Sequence, residues 1–433
     1  MTKKIRPTIN QTPRTLYRTA RRTGRFGATV LVVGALALSA CGSSGGDTAS
    51  ASGSGPARGR LDPATLAKVQ RTVRQFKLRS NTPGVLVGIW SPKGTFVSAT
   101  GIADLQTGAP LRTDMQFKIA SQAKAFTGNL ILQLVGEGKV SFDDHISKWV
   151  AGVPNGDQIT IRELLNMTSG LQTGFLAEEA NYNKLVASGC TEAEVLAAGA
   201  AQAPLSPPGT KWSYSNYGYD LLGRVVELVT GMDVSTVIQK RIAQPLGLHR
   251  TLLPSTGNGL TVPFAHGYGT GGVRSTQAPG VASDDATAIP QSCVGASGGM
   301  VSTLADLRVW SKAMGTGALL KPAVWREAQK SLIPYAFSDN YNGPGRWLQG
   351  LGFVKTGPFI GKEGSFPGYE SITMYSPSLH TTIEVVSTKQ PNAVTPTRML
   401  QALAMDVFGT HLGFGLTPDQ AMAPSYTGIP SEK

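Results

Sequence analysis

Phe117-Lys118-Ile119-Ala120-Ser121-Gln122-Ala123-Lys124-Ala125-Phe126 runs directly into the apolar stretch Leu130-Ile131-Leu132-Gln133-Leu134-Val135. If a helix opens here, Ser121 and Lys124 lie three residues apart on one face, with Cβ atoms about 5–6 Å from each other. An amine then stands beside a hydroxyl. A serine hydroxyl is a poor nucleophile until a neighbouring base takes its proton, and a neutral lysine is one such base. Taken alone, Ser-x-x-Lys also describes an ordinary helix start with a solvated lysine. The rest of the chain decides between the two.

Of the 433 residues, 41% are hydrophobic, enough for a large core or two joined lobes. The formal charge of +13 suggests nucleic acid until its distribution is considered. Lys3, Lys4, Arg6, Arg14, Arg18, Arg21, Arg22 and Arg25 account for eight of those charges within an acid-free head, and the remainder carries only +5. That is too weak and too general for a nucleic-acid footprint. The head is followed by Phe26–Ala40, an apolar run too short to span a bilayer comfortably and suited to a signal-peptide core, so residues 1–40 read as an export signal. Leu38-Ser39-Ala40-Cys41 resembles the bacterial lipobox, which implies cleavage before Cys41, lipidation of its sulfur and an outward-facing place on the cell membrane. Residues 41–60, mostly Gly, Ser, Ala and Thr, read as a tether. Its reach is about 23 Å root-mean-square, from roughly 5–6 Å times the square root of its length.

The folded domain is expected over 61–412. Asp62-Pro63 is a helix start leading Leu66, Val69, Val73 and Phe76 along one face. Val85–Trp90 and Thr95–Thr100 flank Ser91-Pro92-Lys93-Gly94 as a β-hairpin. Helical patterns then dominate from 121 to about 332. Strand patterns return at Gly350–Lys355, Phe359–Gly361, Glu370–Tyr375 and Thr381–Ser387, and a helix near Thr395–Phe408 closes the domain. This order predicts an α/β (α+β) fold: an antiparallel sheet from about 84–102 and 350–388, flanked by N- and C-terminal helices, with a mainly helical lobe inserted. Residues 413–433, Pro-rich and polar, are expected to form a loosely ordered tail.

Two further stretches are placed to line a cleft between the lobes. One is Trp212-Ser213-Tyr214-Ser215-Asn216-Tyr217-Gly218, ahead of a helical pattern. The other is Lys362-Glu363-Gly364-Ser365, at the end of a predicted strand. With Ser121-x-x-Lys124, the triplet Tyr214-Ser215-Asn216 and Lys362-Glu363-Gly364 resembles the three active-site motifs of the serine penicillin-recognising enzymes. The tyrosine points to the branch of class C β-lactamases, D-alanyl-D-alanine carboxypeptidases and related esterases. Leu164–Leu171, Pro208–Asn216, Pro245–Leu248 and Ala296–Leu307 look like that branch too, so the resemblance runs from about Leu61 to Leu412.

What the resemblance implies is a β-lactamase/transpeptidase-like fold and an acyl-Ser121 intermediate; no cofactor or metal is expected. The Ser121 backbone N–H, at a helix start, suits an oxyanion. The resemblance assigns the second oxyanion donor to Ser365, with Gly364 allowing close approach. Lys124 takes the Ser121 proton, directly or jointly with Tyr214, and Asn216 hydrogen-bonds a substrate amide. For Tyr214 to serve as a phenolate, its pKa must fall some three units from about 10, a cost of about 4 kcal/mol. One cation at about 4 Å supplies about that much at an effective dielectric of 20, so Lys124 and Lys362 are expected to suffice.

Glu363 departs from the pattern, because the family usually has a threonine or serine there to meet a substrate carboxylate. A carboxylate entering the pocket repels the free carboxylate of D-alanyl-D-alanine ends and of β-lactams, and so favours an ester or amide without that charge. A carboxylate turned away or paired with Lys362 leaves the question open. D-Alanyl-D-alanine carboxypeptidase on cell-wall peptides is the leading expectation, followed by an esterase, then a β-lactamase or a catalytically silent lipoprotein that binds wall fragments.

Gly295-Ala296-Ser297-Gly298-Gly299 offers a rival nucleophile in the G-x-S-x-G pattern. The residues before it, interrupted by Pro290 and acids, do not make the buried strand such an elbow needs, so a close-packed turn at the edge of the site is expected instead. The five histidines lack metal-ligand spacing. Cys190 and Cys293 are either a disulfide, favoured by an oxidising compartment, or two buried thiols.

Overall fold

The computed structural model describes residues 59–174, 184, 187–269, 284–334, 347–390 and 392–423. The expected signal peptide, Cys41 and nearly all of the tether lie outside the described residues. Among those described, no helix is long and apolar enough to cross a membrane.

The first helix, Pro63–Ser80, begins where the sequence says. The Asp62 carboxylate accepts the N–H groups of Ala64 and Thr65, satisfying donors the first turn leaves unpaired. Its inner face buries Val69, Val73 and Phe76. The chain then turns into the hairpin of strands Gly84–Ser91 and Gly94–Asp104, with Ser91 opposite Gly94.

The defining feature is the pairing of Gly84–Ser91 with Thr381–Ser387, which brings Val85 opposite Ser387. Strands Tyr369–Ser376 and Phe359–Phe366 follow, and shorter strands complete a nine-stranded antiparallel sheet among the described residues. One sheet is thus assembled from both ends of the chain, as the element order implied. Side-chain alternation divides its two faces. Val85, Val87 and Ile89 pack with Met399, Leu400 and Leu403 of the terminal helix Pro396–Phe408, whereas Leu86 and Trp90 join the core of the helical lobe.

Three expectations need correction. Phe359–Gly361 was expected to end before the Lys362 motif, but the strand continues to Phe366, because pairing with Tyr369–Ser376 carries Lys362, Glu363 and Gly364 opposite Thr373, Ile372 and Ser371. A glycine and two charges hide a strand from composition, while the ladder holds it regardless. Gly350–Lys355 is two short strands, Leu348–Gln349 and Val354–Thr356, around a turn closed by the Gly350 N–H to the Phe353 carbonyl. The segment after Leu412 is not loosely held up to Ala423: Phe414 and Met422 are buried in the core beside the terminal helix, and Pro418–Ala421 forms a capped turn of helix.

Candidate active site

Strand Phe117–Lys118 pairs with Val301–Ser302, and the Ile119 N–H reaches the Met300 carbonyl. The chain then swings through Ala120, which adopts the left-handed region at φ +50°. For an L-residue that conformation costs about 1–2 kcal/mol. The 3-10 turn Ala120–Gln122 leads into helix Ala123–Gly136, so Ser121 lies in the tight turn just before the helix and not inside it. That helix is buried on nearly every side, which explains its weak amphipathic pattern. Lys124, in its first turn, is fully buried.

The Lys124 amine lies 3.3 Å from Ser121 Oγ, and donates to Asn216 Oδ1 at 2.6 Å and to the Ser297 carbonyl at 2.6 Å. A neutral amine has two N–H groups. Spending both on those acceptors aims its lone pair at the Ser121 hydroxyl. Burial, and then the nearby Lys362 charge, hold Lys124 well below the ordinary lysine range, opposed by Asp220 and Glu363. The neutral form is therefore favoured where it is needed.

Tyr214 comes from the loop before helix Asn216–Thr230. Ser215 caps that helix, its Oγ accepting the Gly218 N–H and donating to the Gln172 carbonyl. This sets the phenol 2.6 Å from Ser121 Oγ, with the Lys124 amine 4.8 Å and the Lys362 amine 5.8 Å from the ring centre. The expectation of a lowered phenol pKa does not hold. Burial pushes Tyr214 well above its ordinary range, the Ser121 hydrogen bond opposes this, and the carboxylates Glu363 and Asp220 push further upward. Tyr214 is a phenol that can pass a proton, and the buried Lys124 amine is the group beside Ser121 better able to accept one. Asn216, expected to face substrate, spends its carbonyl oxygen on Lys124 and donates from its amide nitrogen to Thr173 Oγ1.

The Lys362 strand closes the opposite wall. A Cβ on Gly364 would fall 2.1 Å from the Ile119 carbonyl and 3.0 Å from the Ser121 nitrogen, so only glycine lets this strand lie against the nucleophile turn. Ser365, the next residue, is exposed. Glu363 does not turn away: its Oε1 accepts from the Lys362 amine at 2.6 Å, and its charge reaches both Lys124 and Tyr214. The cation of the third motif is met from within the chain.

Ser297 is no nucleophile. It is fully buried and its hydroxyl donates to the Val294 carbonyl, while a 3-10 turn, Ser292–Val294, precedes it in place of a strand. Its contribution is the backbone carbonyl on Lys124. Two neighbours fix that turn, Thr127 Oγ1 donating to the Ala296 carbonyl and Asp220 Oδ1 accepting the Ser297 N–H at 3.2 Å. Cys190 and Cys293 form a disulfide beside it. Asp220, four residues after Asn216 on the same helix face, was missed in the sequence, where it looks like one more polar residue of an amphipathic helix.

A family profile described as Beta-lactamase matches residues 69–405. The chain belongs to the Beta-lactamase family. Its curated relatives include penicillin-binding protein 4 of Amycolatopsis lactamdurans, 28% identical over 47% of this chain and 54% of that protein, and esterase EstB of Burkholderia gladioli, 32% identical over 43% and 52%. The chain thus spans about half the length of the curated relatives it matches. Among solved structures, the D-amino acid amidase of Ochrobactrum anthropi SV3 superposes with a TM-score of 0.65 at 26% identity, covering 76% of this chain and 92% of that one. Members with these names are serine hydrolases, and in this Beta-lactamase chain the three motifs converge on one small volume.

Proposed function

We propose that this serine hydrolase works through an acyl-Ser121 intermediate on an ester or amide with no free carboxylate beside the scissile bond. The Ser121 proton passes to the neutral Lys124 amine as Oγ attacks the carbonyl carbon, and the developing oxyanion turns toward the Ser121 N–H and the Lys362 strand. Tyr214, on the same oxygen, gives its proton to the leaving alcohol or amine and is reprotonated from Lys124. Water then enters, loses a proton to the same pair and releases the acid.

The observation carrying the substrate reading is that Glu363, 2.6 Å from the Lys362 amine, stands where a hydroxyl would meet a substrate carboxylate and acts with its charge on both Lys124 and Tyr214, so a second carboxylate entering there would be repelled. The names esterase and D-amino acid amidase among the similar proteins support it. D-Alanyl-D-alanine carboxypeptidase on wall peptides is the second reading, supported by the penicillin-binding relative; it requires Glu363 to release Lys362. Export and lipid anchoring through Cys41 remain part of the proposal on the sequence alone.

The deciding experiment compares wild type with Ser121→Ala on a p-nitrophenyl ester, an amino acid amide and a D-alanyl-D-alanine pentapeptide, alongside fluorophosphonate and fluorescent penicillin labels. Ester or amide turnover with fluorophosphonate labelling, all lost in Ser121→Ala, is expected. D-Alanine release faster than ester turnover would give the second reading precedence, and no labelling at all would leave a binding protein. Palmitate labelling lost in Cys41→Ser tests the anchor.

A further inference from the structure

Lys124 is held by two acceptors, one a side chain and the other the Ser297 carbonyl, so the base is only as well placed as the turn Gly295–Gly298. That turn is packed against two helices and pinned from each. From the nucleophile helix, Thr127 holds the Ala296 carbonyl; from the Asn216 helix, Asp220 holds the Ser297 N–H. Asp220 is 7% exposed. A carboxylate so deeply buried is retained only where it is hydrogen-bonded or faces a cation.

We propose that Asp220 is a positioning residue for Lys124: it fixes the turn whose carbonyl orients the amine, and it stands behind that amine as its buried counter-charge. This deepens the acyl-Ser121 reading and rests on Lys124 being its base. The groups facing Lys124 are Lys362 and Glu363 from the strand, Asp220 from the Asn216 helix, and the rings of Tyr214 and Tyr219. Facing Asp220 are Lys124 and, from helix Glu192–Ala200, Glu192. Burial pushes the Asp220 carboxyl up to about 7 while Lys124 pulls it down, as expected of two groups that exchange one proton's worth of charge between them. Asp220 also lines a cavity of about 830 Å³ with Glu192 and Glu227.

The geometry separates two roles that substitution can pull apart. Asp220→Asn keeps an oxygen for the Ser297 N–H and removes the charge; Asp220→Ala removes both. In p-nitrophenyl acetate hydrolysis across pH 5–9, Asp220→Asn is expected to move the acid limb of kcat/KM downward by about one pH unit, because losing an opposite charge lowers the lysine pKa. Its kcat at the optimum should stay within about threefold, whereas Asp220→Ala should lose about tenfold in kcat with KM little changed. An acid limb superimposable on wild type in folded Asp220→Asn overturns the counter-charge, and an undiminished kcat in Asp220→Ala overturns the positioning. If neither folds, the pH dependence of fluorophosphonate labelling in Asp220→Glu is the second arm. Labelling slowed at every pH with the limb in place supports the proposal, and labelling indistinguishable from wild type refutes it. Ser121→Ala and Lys124→Ala, run in parallel, report separately on the acyl-serine reading.

Discussion

At the scale of single residues, the proposed reaction separates the group that would hold the proton from the group that would move it. Lys124 is driven toward neutrality by burial and by Lys362, and Tyr214 is kept as a phenol by burial. Lys124→Ala is therefore expected to abolish detectable ester turnover. Tyr214→Phe should cost about 10²–10⁴ in kcat, the range of a lost proton-transfer partner, with KM little altered. In wild type, kcat/KM should fall on the acid side as Lys124 becomes protonated, because only the free amine accepts the Ser121 proton; a pH profile with no acid limb above pH 5 would contradict this. The hydroxyl, the amine and the phenol were legible in the sequence, because each motif carries its chemistry in side-chain type and spacing. The direction of the Tyr214 shift was not, since burial is a property of the assembled lobes. The Ser297 carbonyl was equally silent, because a backbone group leaves no mark on residue identity.

At the scale of elements, the site depends on a strand lying against a turn. Gly364→Ala would put a methyl within 2.1 Å of the Ile119 carbonyl, forcing the Lys362 strand away from Ser121. Loss of about 10²–10³ in kcat is expected, comparable to removing an oxyanion donor, while thermal unfolding shifts only modestly. Unchanged ester turnover in this variant would mean that the close approach is dispensable. The disulfide makes a second test at this scale. Replacing Cys190 and Cys293 by serine removes a tie across 103 residues of sequence and should cost about 2–4 kcal/mol in denaturant melts. The helix start at Asp62 and the Pro92-Lys93 hairpin were readable from capping and turn chemistry. The length of the Lys362 strand was not, because its partner, not its own composition, holds it extended.

At the scale of the whole molecule, burial of carboxyls couples stability to pH. Glu370 is buried, accepts from the Asn392 amide, and is pushed up to about 7 by burial against an ordinary 4.5. A folded-state pKa above the unfolded value means the native state holds the proton more tightly. The contribution is complete below pH 4.5 and is lost as pH rises toward 7, by on the order of 3 kcal/mol at 1.36 per unit. Glu370→Gln, which keeps an acceptor for Asn392, should flatten that part of the stability curve and leave wild type the less stable of the two at pH 7.5. Parallel curves from pH 4.5 to 7.5 would rule the linkage out. The architecture itself was legible from element order, because two strand-rich ends around a helical middle have few ways to bury both.

The partnership between Val85 and Ser387 has a consequence for how the protein is made. The two strands are about 300 residues apart, so during synthesis the early hairpin waits without its mate until almost the entire polypeptide has emerged. A ribosome stalled anywhere before Thr381 would hold an unfinished product with an open hydrogen-bonding edge, prone to aggregation or proteolysis. A nonsense mutation ahead of Thr381 should accordingly yield no soluble fragment, whereas a break in the tether should yield an intact one.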